Sequence, residues 1–364
     1  MKKAKFISIV LVFCILIGGA SLWLFIKSDD EISDWERRKL QQFPEITLER
    51  VMDGKFMKEF VSYMTDQFPM RNDLRRLKAK VLFNIYQQKD NGGIYIQDGS
   101  ASKIDAEINQ NSVNHFIGRM DAIYSTYLKD TDCKVYFTAI PDKNYFLAEK
   151  GGYPAMDYEE LYSILGERLS YMTHIDIRNL LDISDYYTTD THWKQENIVD
   201  VANEIRLQME KKPVTDYEEK ILGDFYGVYY GQSALPLDPD TISYLTNKTI
   251  ESCVVKNFEK NTETVVYNMK DYKNLDPYDL FLSGPVSLLE INNYASSQDR
   301  ELVIFRDSFG SSLAPLLIEG YSKIILIDIR YISTDMISQF IEFDNQDVLV
   351  AYSTMMINSS LTLK

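Results

Sequence analysis

Three patterns of apolar and polar positions follow one another along this chain. In the first, residues Phe6 to Ile26 carry no charge. Wound as a helix, that stretch covers roughly the ~30 Å hydrocarbon core of a bilayer. Lys2, Lys3 and Lys5 precede it, and Lys27, Asp29, Asp30, Glu31 and Asp34 follow. The positive-inside bias then assigns residues 1–5 to a cytoplasmic tail, 6–26 to a single transmembrane anchor and everything beyond to the outside. A cleavable signal peptide is the competing reading. The flank Phe25-Ile26-Lys27-Ser28 lacks a small-x-small cleavage site, although Gly18-Gly19-Ala20-Ser21 offers an internal one.

The second pattern has helical period. Residues 27–90 read as a juxtamembrane spacer and helical segment. Phe56, Phe60, Met64 and then Leu74, Leu77, Val81, Ile85 recur at steps of three and four over 47–88, broken at Phe68-Pro69. Arg71, Arg75, Arg76, Lys78 and Lys80 give the second helix a basic, solvated face. Asn91-Gly92-Gly93 marks a turn, and Gly93 to Gly99 reads as a short hairpin.

The third pattern, over 91–364, alternates short apolar runs with helical periods. Strands are expected at Lys134–Ile140, His174–Ile177, Leu302–Phe305, Lys323–Ile329 and Val348–Tyr352, and helices at 104–129, 157–170, 195–209, 311–319 and 334–342. Such alternation predicts an α/β domain with a parallel sheet covered by helices on both faces. Residues 210–280 have weaker alternation, with one strand expected at Thr262–Tyr267, and read as an insertion of loops and short strands.

Composition narrows the function. A formal charge of −15 argues against general nucleic-acid binding. Cys14 falls in the anchor, leaving Cys133 and Cys253 far apart and read as free. No Cys/His cluster has metal-site spacing, so no metal or cofactor is expected.

Two segments carry candidate chemistry: Asp190-Thr191-His192-Trp193, and Arg306-Asp307-Ser308-Phe309-Gly310. In an extended chain, Asp190 and His192 point to the same side. Ser308 falls where an apolar strand gives way to a helix, the place where doubly wound sheets bind ligands. Acid, base and hydroxyl are the parts of a nucleophilic triad, and a helix start offers N–H groups to an oxyanion. The plainer alternative is that Asp307 or Ser308 only caps the helix. His115 has no neighbouring acid, and His174-Ile175-Asp176 is a decoy in an apolar strand, where a buried structural role is expected.

The chain resembles the SGNH-hydrolase-like proteins of alginate O-acetylation, and more closely the DHHW family, whose name motif here reads DTHW. The resemblance extends to Trp35-Glu36-Arg37-Arg38, Asp66-Gln67-Phe68-Pro69-Met70-Arg71, Pro141-Asp142-Lys143, Phe281-Leu282-Ser283-Gly284-Pro285 and Ile327-Asp328-Ile329-Arg330-Tyr331. It implies an SGNH-hydrolase-like, flavodoxin-like sheet with Ser308 as nucleophile, His192 as base and Asp190 as orienting acid. Two positions depart from the pattern: Thr191 replaces a histidine, and Arg306 stands where SGNH hydrolases have glycine. Further substrate or oxyanion candidates are Arg330, Lys143, Asn292, Asn293, Arg306 and Gly284.

The resulting expectation is a membrane-anchored extracytoplasmic serine O-acyltransferase that acetylates a cell-envelope or secreted polysaccharide. Its implied partners are a membrane-bound O-acyltransferase that supplies acetyl groups and the polysaccharide acceptor. A carbohydrate acetylesterase with the same triad and a non-catalytic, glycan-binding envelope scaffold remain the alternatives.

Overall fold

The computed structural model describes residues 2–234 and 237–364; within the first helix, the side chains of residues 2–5, 16, 17, 20, 21 and 25 lie outside the described set. Two compact units are present, Met1–Gly92 with Tyr230–Leu237, and Gly93–Tyr229 with Asp238–Lys364.

The first unit opens with α1 (Lys2–Ile26), on which the expected anchor falls. Among the described residues, no helix is long and apolar enough to cross a membrane. The helical period over 47–88 resolves into a single turn at Leu48–Met52, then α2 (Lys55–Asp66) and α3 (Arg71–Asn84). Arg38 forks onto Asp66 at 2.8 and 2.6 Å, and Glu36 receives Arg71 at 2.6 Å and Arg75 at 3.1 Å. These ion pairs tie the spacer to both helices, and they hold the carboxyls of Asp66 and Glu36 below their ordinary range. The "basic face" of α3 is therefore partly committed to acids of its own unit.

The second unit contains α4 (Gln110–Ile123), α5 (Lys143–Gly151), α6 (Tyr158–Arg168), α7 (Val199–Gln208) and α8 (Phe309–Leu317). Its eight-stranded sheet is built from β1 (Lys134–Ile140), β2 (Thr173–His174), β3 (Val254–Asn257), β4 (Thr262–Thr264), β5 (Leu288–Asn292), β6 (Glu301–Arg306), β7 (Lys323–Ile327) and β8 (Asp347–Ser353), in the order β4-β3-β5-β7-β6-β8-β1-β2. The run β7-β6-β8-β1-β2 is parallel, and β5, β3 and β4 extend it as an antiparallel edge.

Alternation along the strands divides the core. Leu302, Ile304, Leu326 and Leu349 face α7 and α8, whereas Val303, Phe305, Ile327 and Val350 face α4 and α6. Successive side chains on a strand point to opposite faces, so near-continuous apolar runs are what burial on both faces requires. Four of the five expected strands and most helices of the α/β pattern thus lie where periodicity placed them, whereas His174–Ile177 shrinks to Thr173–His174 and the helix expected at 334–342 is a 3₁₀ segment at Thr334–Gln339.

Two expectations change. The sheet is mostly rather than wholly parallel. Residues 210–280 are also more than an insertion, because they supply β3 and β4 as well as a separate hairpin, Glu218–Phe225 with Asp240–Thr246.

Candidate active site

The carboxyl end of β6 carries Asp307 and Ser308, and the loop that holds Asp190 and His192 reaches it from beyond β2. Ser308 follows β6 and caps α8 with an αR backbone (φ −64°, ψ −21°), but its side chain makes no capping bond. Asp307 takes the local structural role instead. Its Oδ1 accepts from the Phe309 N–H at 3.0 Å, and its Oδ2 accepts from the Ser353 N–H and hydroxyl at 2.9 and 2.7 Å, joining the ends of β6 and β8. The cap alternative therefore applies to Asp307, and the Ser308 hydroxyl is left for other use. Gly310 makes the tight turn possible: a Cβ there would sit 2.5 Å from the Cβ of Arg306.

The DTHW segment lies in a short loop closed by pairing of Tyr186 with Trp193. His192 Nδ1 lies 2.6 Å from Asp190 Oδ1, and His192 Nε2 lies 2.7 Å from Ser308 Oγ. Asp190 is fully buried and can only accept, which fixes the proton on Nδ1 and leaves Nε2 to accept from the serine hydroxyl. The structure thus brings together Asp190, His192 and Ser308, although the sequence separates the last two by 116 positions.

The loop is held from several sides. Asp190 Oδ1 also accepts from the His192 N–H at 3.1 Å, and Oδ2 accepts from the Val228 N–H at 2.7 Å. The Asp240 carboxylate receives the backbone N–H and hydroxyl of both Thr188 and Thr189, at 2.5–2.8 Å. Gly227 is required for this approach: a Cβ there would lie 2.2 Å from the Thr189 carbonyl oxygen and 2.5 Å from Asp190 Cβ. Trp193 donates to Ser312 Oγ at 2.8 Å, anchoring the loop to α8. Tyr278 stacks on the imidazole (centroids 3.9 Å apart, planes 11° apart) and donates to the same Ser312 hydroxyl. Sequence reading missed Val228, Gly227, Asp240 and Tyr278, all within 210–280. Their only local signal was an aromatic, a glycine or an acid in an irregular segment.

The remaining candidates fare unevenly. Lys143 does not face a substrate. It is 1% exposed, and Nζ donates to the carbonyls of Tyr187 (2.6 Å), Thr188 (3.1 Å) and Asp190 (3.0 Å). Burial pulls its ammonium down to about 7, opposed by Asp240 and Asp190. Three acceptors match the three N–H bonds of the charged form.

Asn292 and Asn293 are not brought to Ser308. Strand β5 runs antiparallel to β7, so Asn292 pairs with Lys323 at the opposite end of the sheet. Gly284 (φ +70°) forms a turn against Asp279. Arg306 is buried 3.7 Å from Asp328, and among the described residues its Nε and Nη2 have no partner. Arg330 grips Asp328 through Nε and Nη2 at 2.5–3.1 Å, beyond the carboxyl end of β7.

The other histidines are apart from this site. His115 lies 3.0 Å from the Leu363 carbonyl. His174 is exposed rather than buried, 3.1 Å from the Leu169 carbonyl, and Asp176 is taken by Arg178. Cys14, Cys133 and Cys253 are free, and among the described residues no group of His, Cys, Asp or Glu could hold a metal ion.

The DHHW protein family matches residues 165–327, a span holding both motifs. A DHHW family protein from Eubacterium siraeum is 21% identical, with 72% of this chain and 91% of that one covered at a TM-score of 0.57. Bacillus cereus PatB1, solved with a sulfonyl adduct, is 18% identical, with 72% and 95% covered at 0.60. The O-acetyltransferase domain of Pseudomonas putida AlgJ is 10% identical, with 73% and 92% covered at 0.44. No curated protein matches the sequence.

Proposed function

Starting from a chain that matches the DHHW family over residues 165–327, we propose that it is a serine O-acyltransferase acting on a polysaccharide, with acetyl as the acyl group. The observation that carries the reading is the continuous path Asp190–His192–Ser308, with spacings of 2.6 and 2.7 Å.

In the first half-reaction, Ser308 Oγ attacks the donor's acyl carbonyl and its proton passes to His192 Nε2. That proton then goes to the leaving group as the carbon–oxygen or carbon–sulfur bond breaks, giving acyl-Ser308. In the second half-reaction, His192 takes a proton from an acceptor hydroxyl, which attacks the acyl ester. Ser308 leaves and recovers its proton. Asp190 holds the imidazole tautomer and stabilises the imidazolium. The Ser308 N–H, at the start of α8, is the donor this reading assigns to the oxyanion.

The acetyl group and the polysaccharide come from the family resemblance. So does the expected donor-supplying partner, a membrane-bound O-acyltransferase. The charge-free stretch Phe6–Ile26, with lysines before it, supports an extracytoplasmic domain held at a membrane.

The test follows p-nitrophenol release from p-nitrophenyl acetate together with the mass of the acetylated protein, with and without oligosaccharide. Acetyl on Ser308 and its passage to sugar are expected, with both lost in Ser308→Ala and His192→Ala. Release to water alone indicates an esterase, and equal rates in all three proteins overturn the triad. Because PatB1 carries a sulfonyl adduct, labelling of Ser308 by phenylmethylsulfonyl fluoride is a second check, and an inert serine points to a scaffold.

A further inference from the structure

A cavity of about 190 Å³ lies beside the triad loop, at the carboxyl ends of β1 and β8. Ser102, Lys103, Asp105, Tyr229, Met355 and Ser359 line it, with Asp142 and Lys143 at its inner wall. None of these residues takes part in the acid–base–nucleophile path.

The cavity shares a wall with that path. Thr191, between the acid and the base, hydrogen-bonds Tyr229, and its Oγ1 lies 4.0 Å from Met355 Sδ. The Tyr229 N–H donates to the Thr189 carbonyl at 3.0 Å. In the sheet, β1 and β8 follow β6, the strand that delivers Ser308. Neighbouring strands are about 4.8 Å apart, so the cavity is roughly 5–10 Å along the sheet edge from the nucleophile.

The lining restricts what can occupy it. Asp142 is spent on Tyr158, Thr354 and the Asn144 N–H, and Lys143 on three carbonyls. Asp105 uses Oδ1 for Asn358, and burial raises its pKa against the effects of Asn358 and Lys103. Ser102 and Ser359 also line the cavity. The lining holds acidic side chains (Asp105, Asp142) and basic ones (Lys103, Lys143) in equal number, so it favours neither an anion nor a cation. A neutral ligand rich in hydroxyls can donate to Asp105, accept from Lys103 and lay an apolar face on Tyr229 and Met355.

We propose that this cavity is an acceptor subsite holding the sugar residue next to the one that Ser308 acylates, with Asp105 receiving its hydroxyls. The assignment rests on the transferase reading above. It makes the enzyme prefer an oligomer over a single sugar, because only an oligomer reaches both places.

The test uses the full-length protein with p-nitrophenyl acetate as donor. The acceptors are xylopentaose, mannopentaose, cellopentaose and chitopentaose, each beside its methyl monosaccharide. Asp105→Asn removes the acceptor charge, and Ser359→Trp fills the mouth from an exposed position. Both variants are expected to raise KM for the preferred pentasaccharide about tenfold or more. Acetylation of Ser308 and transfer to the monosaccharide should stay at wild-type rates.

An unchanged pentasaccharide KM in both variants overturns the subsite. So does a wild type that favours no pentasaccharide over its monomer. A parallel fall in Ser308 acetylation in both variants also overturns it, since the residues would then only support the triad. Failure of the transferase reading looks different, and the subsite falls with it: wild type would form no acetyl-Ser308, or would pass its acetyl only to water.

Discussion

The two ends of the parallel sheet each bury an aspartate among polar partners, with different consequences. At the amino end, Asp347 opens β8 and is saturated. Arg300 Nε donates to Oδ1 at 2.7 Å with Nη2 2.6 Å from the same oxygen, the Tyr321 hydroxyl donates to Oδ2 at 2.9 Å, and Lys211 stands 3.7 Å away. At the carboxyl end, Asp190 is equally buried, but its chain of bonds continues through His192 to a hydroxyl that is only partly buried. A closed cluster staples strands, whereas an open-ended one can pass a proton to something that arrives. Burial of charge alone does not distinguish the two, but the unclosed last partner does.

Breaking the open end should abolish turnover and leave the fold intact. Ser308→Ala or His192→Ala is expected to lower the acetyl-transfer rate by about 10⁴–10⁶-fold with circular dichroism unchanged. Asp190→Asn keeps the shape and loses the tautomer control, for a fall of roughly 10⁴-fold. A loss under tenfold would show that the acid is dispensable.

Gly227→Ala touches no reacting atom, yet it pushes a methyl group into Thr189 and Asp190. Its kcat should fall at least about a hundredfold as the loop is misplaced, with thermal unfolding shifted little. Normal kcat in a folded variant would remove Gly227 from the support of the loop.

Breaking the closed end should do the reverse. Asp347→Asn leaves Arg300 and Lys211 short of a counter-charge and should cost about 3 kcal/mol in urea unfolding, with activity per folded molecule unchanged. A drop in activity that outran the drop in stability would link the two ends.

The smallest effect sharpens the contrast. Lys143 has a folded value of about 7, below its ordinary lysine value, so the unfolded chain binds the extra proton between them. Stability contributed by neutral Lys143 is therefore absent below about 7 and grows as pH rises towards the ordinary value. Wild type should gain stability on Lys143→Met between pH 7 and 10. If it does not, the three carbonyl bonds hold the ammonium charged throughout.

Much of this was legible in one dimension. Strands β1, β6, β7 and β8 bury both faces, and their apolar runs could be read directly. DTHW and the Asp-Ser pair after β6 stood out because few residue types can do acid–base and nucleophilic work, and only three histidines are present. The misplaced candidates share a cause. Asn292 and Asn293 looked close to the site until β5 proved antiparallel, which sends them to the far end of the sheet. Lys143 looked available because its sequence neighbours do not reveal that it faces the 187–190 carbonyls.

The rhythm of strands and helices, the residue types able to form a triad and the place of Ser308 at a strand-to-helix junction are legible in the chain before it folds. These are local properties, set by side-chain period and by the chemistry of single groups. Folding then set which histidine meets the serine and which end of the sheet each loop occupies. It also decided that Gly227, Val228 and Asp240 hold the acid–base loop in place. Those contacts join residues far apart in the chain, and they depend on strand direction and backbone approach, which leave no periodic trace.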